Sequence, residues 1–296
     1  TGRHFGYQVT FFRAALAPGA PENPSAWATN QVWMAHVALT DVANSQHFHN
    51  QRLARGAAGL AGQGNQPFKV WLEDWQIMAN EHGEFPWAIT VNTDDFMLNL
   101  QISPEKPVVL QGEQGLSQKS AAVGNASYYY SFTRLKTIGE VHLKRDGQQE
   151  DGQQERLIVQ GDSWLDREWS TSALGDDQAG WDWFSLVFDS GARMMGFVLR
   201  SDNTAPYTSA TWIEADGTTT PLPNGSFRAT PLKTSVVGER NIPTTWDLKL
   251  PEKNVDLRVS ALNAQAWMKT SVPYWEGPIL IEGSHTGRGY LEMTGY

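Results

Sequence analysis

Apolar and polar residues alternate along most of this chain with a period of two. Segments 5–13, 31–39, 68–78, 85–91 and 95–102 each carry a short β-rich run bounded by turn residues, the pattern of a half-buried strand. Segments 126–135, 139–143, 157–166, 181–188 and 193–200 follow the same rule, as do 208–214, 245–250, 256–261, 277–282 and 289–294. The spacing predicts one helix at most, over 50–60, and the glycines there weaken it. Loops are marked by 17–24, by 56–64 and by the tandem Asp-Gly-Gln-Gln-Glu at 146–155, a polar hairpin tip without chemistry. Many short strands with turns between them predict sandwiches or barrels.

The pattern also repeats. Leu157-Ile-Val-Gln-Gly161 followed by Trp164-Leu165-Asp166 echoes Ile279-Leu-Ile-Glu-Gly283 followed by Tyr290-Leu291-Glu292. Gly6-Tyr-Gln-Val-Thr-Phe-Phe-Arg13 echoes Met194-Met-Gly-Phe-Val-Leu-Arg200. The first pair stands near the ends of two halves and the second near their starts. Two consecutive domains, 1–172 and 173–296, are expected, each long enough for its own core.

Composition narrows the function. A net charge of −9 with few basic clusters argues against nucleic acid and anionic membranes. No apolar run is long enough for a spanning helix. Cysteine is absent, which removes disulfides and thiolate chemistry. No Gly-x-Ser-x-Gly elbow and no phosphate-binding loop is present. Thirteen tryptophans exceed what core packing needs and suit an apolar ligand pocket.

The densest constellation is Trp164-Leu165-Asp166-Arg167-Glu168-Trp169. Alternation puts Trp164, Asp166 and Glu168 on one face, and two carboxylates beside an indole are candidates for raised pKa values and acid catalysis. The competing reading pairs these acids with Arg167 or with a neighbouring strand. Tyr128 and Tyr130 share a face and are candidate ligand contacts, Tyr129 facing away. Trp181 and Trp183 form a candidate aromatic wall, which Tyr274-Trp275-Glu276-Gly277 extends. His36 and Asp41 bracket a strand end, where they hold a turn or line a cavity mouth. With His47 and His49 they invite a metal, but no third ligand stands at a recognisable spacing, so neither metal nor cofactor is expected.

Together these motifs resemble the AttH-like proteins related to carotenoid 1,2-hydratase. The carriers are Phe5-Gly-Tyr-Gln-Val-Thr-Phe-Phe-Arg13, His36-Val-Ala-Leu-Thr-Asp41, Gly124-Asn-Ala-Ser-Tyr-Tyr-Tyr-Ser131, Trp164 to Trp169, Gly180-Trp-Asp-Trp183, Trp275-Glu-Gly277 and Gly289 to Tyr296. The resemblance implies two tandem lipocalin-like antiparallel β-barrel domains and an exported or cell-envelope protein. It also implies an aromatic-rich strand ahead of Thr1-Gly2-Arg3, which itself reads as the middle of a turn. In the hydratases the run around Asp166 is of the Tyr-His-Asp-His-Asn type. Here Trp164 stands for the tyrosine, Asp166 for the acid, and Leu165 and Arg167 for the histidines.

The expected function is a hydratase, lyase or isomerase acting on an apolar, isoprenoid-like small molecule. Asp166 is its acid, Glu168 or His36 holds water, and Trp164, Tyr128, Tyr130, Trp181 and Trp183 face the carbocation, with Asp41 at the ligand. Two alternatives stay open: a non-catalytic carrier of a hydrophobic ligand, and an envelope structural or attachment factor.

Overall fold

The computed structural model describes residues 2–19, 21, 22, 25–122, 124–144, 155–170, 174, 175 and 177–296. The first half contains two sheets. One is β1 (Phe5–Ala15), β2 (Gln31–Asp41) and β3 (Gln46–Arg55), joined in that order. The other comprises β4 (Ala61–Asn65), β5 (Phe68–Leu72), β6 (Trp75–Met78), β7 (Trp87–Asn92), β8 (Phe96–Pro104), β9 (Val109–Leu110), β10 (Leu116–Gln118), β11 (Ala126–Leu143) and β12 (Glu155–Trp169). Its order is β10-β11-β8-β7-β6-β5-β4, with β9 and β12 also paired to β11.

A single sheet makes the second half. It holds β13 (Gln178–Phe188), β14 (Arg193–Ser201), β15 (Tyr207–Ile213), β16 (Thr219–Leu222), β17 (Arg228–Val237), β18 (Arg240–Leu250), β19 (Val255–Ala261), β20 (Trp267–Met268), β21 (Tyr274–Gly283) and β22 (Gly287–Met293). The path runs β16-β15-β14-β13-β22-β21-β19-β18-β17, so the half's first and last strands lie side by side. Every pairing is antiparallel. The architecture is all-β, two tandem lipocalin-like barrels. The expected boundary at 172/173 lies outside the described residues, as does the 146–154 part of the tandem repeat.

Three local expectations change. Segment 50–60 is no helix: β3 pairs with β2 along its whole length, from Gln46 opposite Asp41 to Arg55 opposite Val32. Backbone hydrogen bonds to a neighbouring strand decide there, because neither face of β3 is cleanly apolar. Segment 68–78 is two strands, turned at Glu73 with φ +56°. Segments 126–135 and 139–143 are one strand of 18 residues, β11.

Each half encloses its own core. The first is built around Trp33, Val37, Leu72, Trp75, Val91, Phe96, Leu98 and Leu135. The second centres on Phe184, Leu186, Phe227, Trp246, Leu257, Trp275 and Leu291. Between them lies a third apolar cluster of Tyr129, Met195, Phe197 and Leu199, packed by Trp164, Trp181 and Trp183. Ala38, Met268 and Tyr274 form a fourth, also joining the halves. The strand faces not used for the two cores are therefore pressed against each other.

Alternation explains this division. On β12 Leu165 enters the first core, so Trp164 and Asp166 must point outward, toward the second half. On β11 a register shift between Phe132 and Leu135 reverses the faces. Phe132 and Leu135 both reach the core, while Tyr129 and Ser131, beyond the bulge, turn to the junction. The halves approach closely at Gly6 of β1, where a Cβ would lie 2.7 Å from Pro278 Cγ. Gly6→Val should therefore overpack the junction and cost about 1–3 kcal/mol. Urea unfolding measures this, and an unchanged midpoint would mean the halves do not meet there.

Candidate functional site

The junction gathers acids. Register sets Ser131 opposite Asp166, and Tyr129 opposite Glu168. In the second half Glu292 lies opposite Trp183 on one side and Glu276 on the other. Directly opposed residues share a sheet face, so these strands present Asp166, Glu168, Glu276 and Glu292 toward one region. Indoles and phenols surround the acids. The Trp164 and Trp183 rings meet edge to face at 6.5 Å, and Trp183 Nε1 donates to the Tyr129 hydroxyl at 3.2 Å.

The two acids of β12 differ in their surroundings. Glu168 pairs with Lys119 Nζ at 2.6 Å, and Ser127 Oγ donates to the same oxygen. That ammonium offsets the Glu168 charge. Asp166 has no cation within reach among the described residues. Trp164 Nε1 donates to its Oδ1 at 2.7 Å, and Ser131 Oγ donates to that same atom. With Oδ1 serving two donors, a proton on this group belongs on Oδ2.

Desolvation and the neighbouring Glu168 charge push the Asp166 carboxyl up to about 6, against the pull of the Ser131 and Trp164 hydrogen bonds. Its surface is still reached by solvent although protein crowds it closely. Asp166 thus stands at the exposed edge of the junction rather than in a sealed core. Arg167 does not clasp it; the guanidinium turns to the opposite face, 5.3 Å over the Phe68 ring.

Across the junction Glu276 is only 8% exposed, and Glu292 accepts from Trp181 Nε1 at 2.7 Å. Burial raises both carboxyl pKa values, and their mutual repulsion adds to the rise in Glu276. Two such neighbours share protons as a pair. From Glu276 a hydrogen-bonded chain leads outward. The Tyr274 hydroxyl meets Glu276 and lies 3.0 Å from His36 Nδ1, while Gln8 Nε2 approaches it at 3.4 Å. His36 Nε2 lies 3.1 Å from Gln51 Oε1, which also accepts from the Ser271 backbone and hydroxyl. An acceptor at Nε2 assigns the proton to that nitrogen and leaves Nδ1 to receive the phenol. Burial lowers the His36 pKa to about 4, so the ring is neutral.

The structure therefore brings Asp166, Glu168, Trp164, Trp181 and Trp183 together, and leaves others apart. Tyr128 and Tyr130 lie on the far face of β11, where Tyr128 stacks on Trp169 and Tyr130 meets Phe132. Tyr129 holds the place expected of them, because the register and the bulge choose the face. Asp41 is engaged by Arg3 at 2.5 Å and by Asn44 at 2.7 Å, at the end of β2. His36 reaches Glu276 through Tyr274, and no hydrogen bond joins it to Asp166. Glu276, Glu292, Tyr274 and Tyr290 were not singled out as chemistry. The echo of Trp164-Leu165-Asp166 in Tyr290-Leu291-Glu292 was the available signal. Among the described residues no three His, Asp or Glu side chains converge as metal ligands.

Comparison with known proteins matches residues 1–296 to the family model described as AttH-like. No curated protein sequence matches the chain. Among solved structures it is similar to an AttH protein from Nitrosomonas europaea, with TM-score 0.87 and 31% identity, covering 100% of this chain and 88% of that one. It is also similar in fold to kievitone hydratase from Nectria haematococca, with TM-score 0.72 and 16% identity, over 97% and 83% of the two chains.

The raised carboxyls set a pH dependence. The folded chain holds protons that the unfolded chain would release. This contribution is fully present below the ordinary carboxyl pKa and is lost as pH rises from there through the raised folded value, about 6 for Asp166. His36 and His47, lowered by burial to about 4, act oppositely as pH falls from 6.5. Above neutrality these histidines are silent. Relative to Glu276→Gln, which keeps both histidines, wild type should lose stability as pH rises from the ordinary carboxyl value of 4.5 toward the raised folded value of Glu276, read by urea unfolding. Parallel curves would mean that Glu276 is ionised throughout.

Proposed function

The chain belongs to the AttH-like family, and from that footing we propose that the junction is an acid site for an apolar, isoprenoid-like molecule, working as a hydratase, lyase or isomerase. One observation carries the reading. Asp166 is a carboxyl without a cationic partner among the described residues, raised to about 6, set among indoles and beside an acid that is ion-paired to a lysine. A carboxylic acid in such a setting is a competent proton donor near neutral pH. The fold it shares with a hydratase supports the reaction class.

The chemistry follows from the arrangement. The Oδ2 proton passes to one carbon of a double bond, whose π electrons form the new C–H bond and leave a cation on the other carbon. Trp164, Trp183 and Tyr129 present π faces to that charge, each contributing about 0.5–2 kcal/mol. In hydration, water forms the C–O bond and yields its proton to the ionised member of the Glu276–Glu292 pair. In isomerisation, a proton leaves an adjacent carbon instead. In both cases the ionised member of the Glu276–Glu292 pair takes the released proton, and that proton returns to the Asp166 carboxylate, restoring the starting state.

A carrier role is the second reading. It is favoured by the donors from Ser131 and Trp164, which hold Asp166 as a fixed network member.

Incubation with polyenes and terpenoids in deuterated water separates the two. Mass spectrometry should find deuterium incorporated or water added with wild type, and about 10²–10⁴-fold less with Asp166→Asn. Undiminished turnover by that variant would end the acid assignment. Ligand retained by both forms without turnover would favour the carrier.

A further inference from the structure

Arg193 opens β14 on the face turned to the first half, in line with Met195, Phe197 and Leu199. Only 4% of it is exposed. No described residue hydrogen-bonds or ion-pairs with its guanidinium, and Nη1 is fully buried without a partner. Arginine does not shed its proton in proteins, so this buried charge cannot vanish by titration. Buried charges are otherwise paired or ligated.

The surroundings do not neutralise it. Arg134 is close enough to repel, and that residue already holds Glu105 at 2.7 Å. Asp162 and Glu105 attract Arg193 from beyond contact distance. Next to the guanidinium is a small cavity lined by Lys106, Val109 and Thr133 of the first half and by Glu214 and Gly217 of the second. It offers about 10 Å³, room for one water-sized particle. Lys106 makes no contact ion pair among the described residues, its charge acting on Asp216 from a distance, whereas the Glu214 carboxylate is drawn to Lys253 Nζ at 3.0 Å. Lys106 and Arg193 thus line the cavity from opposite halves, and its one acid is already engaged.

We propose that this cavity binds a small inorganic anion of chloride size, held by Arg193 and Lys106 across the junction. Water would satisfy the donors but leave the charge in place. Chloride is slightly larger than water and fits with a small outward shift of the lining, whereas a phosphate needs far more room. The anion would be a structural ligand joining the halves, independent of the acid site and of its chemistry.

The test uses the intact chain at constant ionic strength, exchanging gluconate for chloride. The unfolding midpoint should rise with the logarithm of chloride concentration, as for any ligand of the folded state. Bromide soaked into crystals should give an anomalous peak beside Arg193 Nη1. Arg193→Met should abolish the chloride response, and Lys106→Met, should Arg193→Met fail to fold, should weaken it several-fold. Equal midpoints in both anions, a full response in the lysine variant, or no bromide peak at the cavity would each overturn the proposal.

Discussion

A strand has two faces, and at the junction of these barrels both are covered. The inward face of β12 closes the first core through Leu165, and the outward face meets the second barrel through Trp164 and Asp166. The same holds for β22, with Leu291 inside and Tyr290 and Glu292 outside. Contact between the barrels withdraws Tyr129 and Glu276 from water, while Asp166 and Glu168 stay exposed at the edge of that contact. The contrast between buried and exposed acids is what distinguishes the site.

Electrostatics follow first. Asp166, Glu168, Glu276 and Glu292 share one region, and Lys119 offsets only Glu168. In water such a group would ionise and disperse. Beside Trp164, Trp181 and Trp183, desolvation raises the carboxyl pKa of Asp166, Glu276 and Glu292. Basic groups are displaced toward Arg134 and Arg193, where β12 carries Asp162 rather than Asp166. The junction is therefore polarised along the strands, acid-rich at one end and guanidinium-rich at the other.

Much of this was legible in the residues. Alternation alone separated Leu165 from Trp164, Asp166 and Glu168, and the paired echoes announced two related halves. What alternation cannot convey is which face of one strand meets which face of the next. Tyr128 and Tyr130 were expected beside Asp166, yet Tyr129 and Ser131 are there, because register and bulge are properties of a strand pair. Lys119 escapes notice for a similar reason: it reaches Glu168 from the loop after β10, with no local motif to mark it. Glu292 was visible as part of the echo, but its acidity arises only from the barrel facing it. Segment 46–55 hid as a strand because its pairing with β2, not its own periodicity, holds it extended.

The bulge in β11 also decides which side chains the outer part of that strand presents. Loss of a single residue between Phe132 and Leu135 would restore unbroken alternation and turn the outer part of the strand over. Tyr128 and Tyr130 would then enter the junction, and Tyr129 and Ser131 would leave it. A one-residue deletion thus changes which side chains face the second barrel without any substitution.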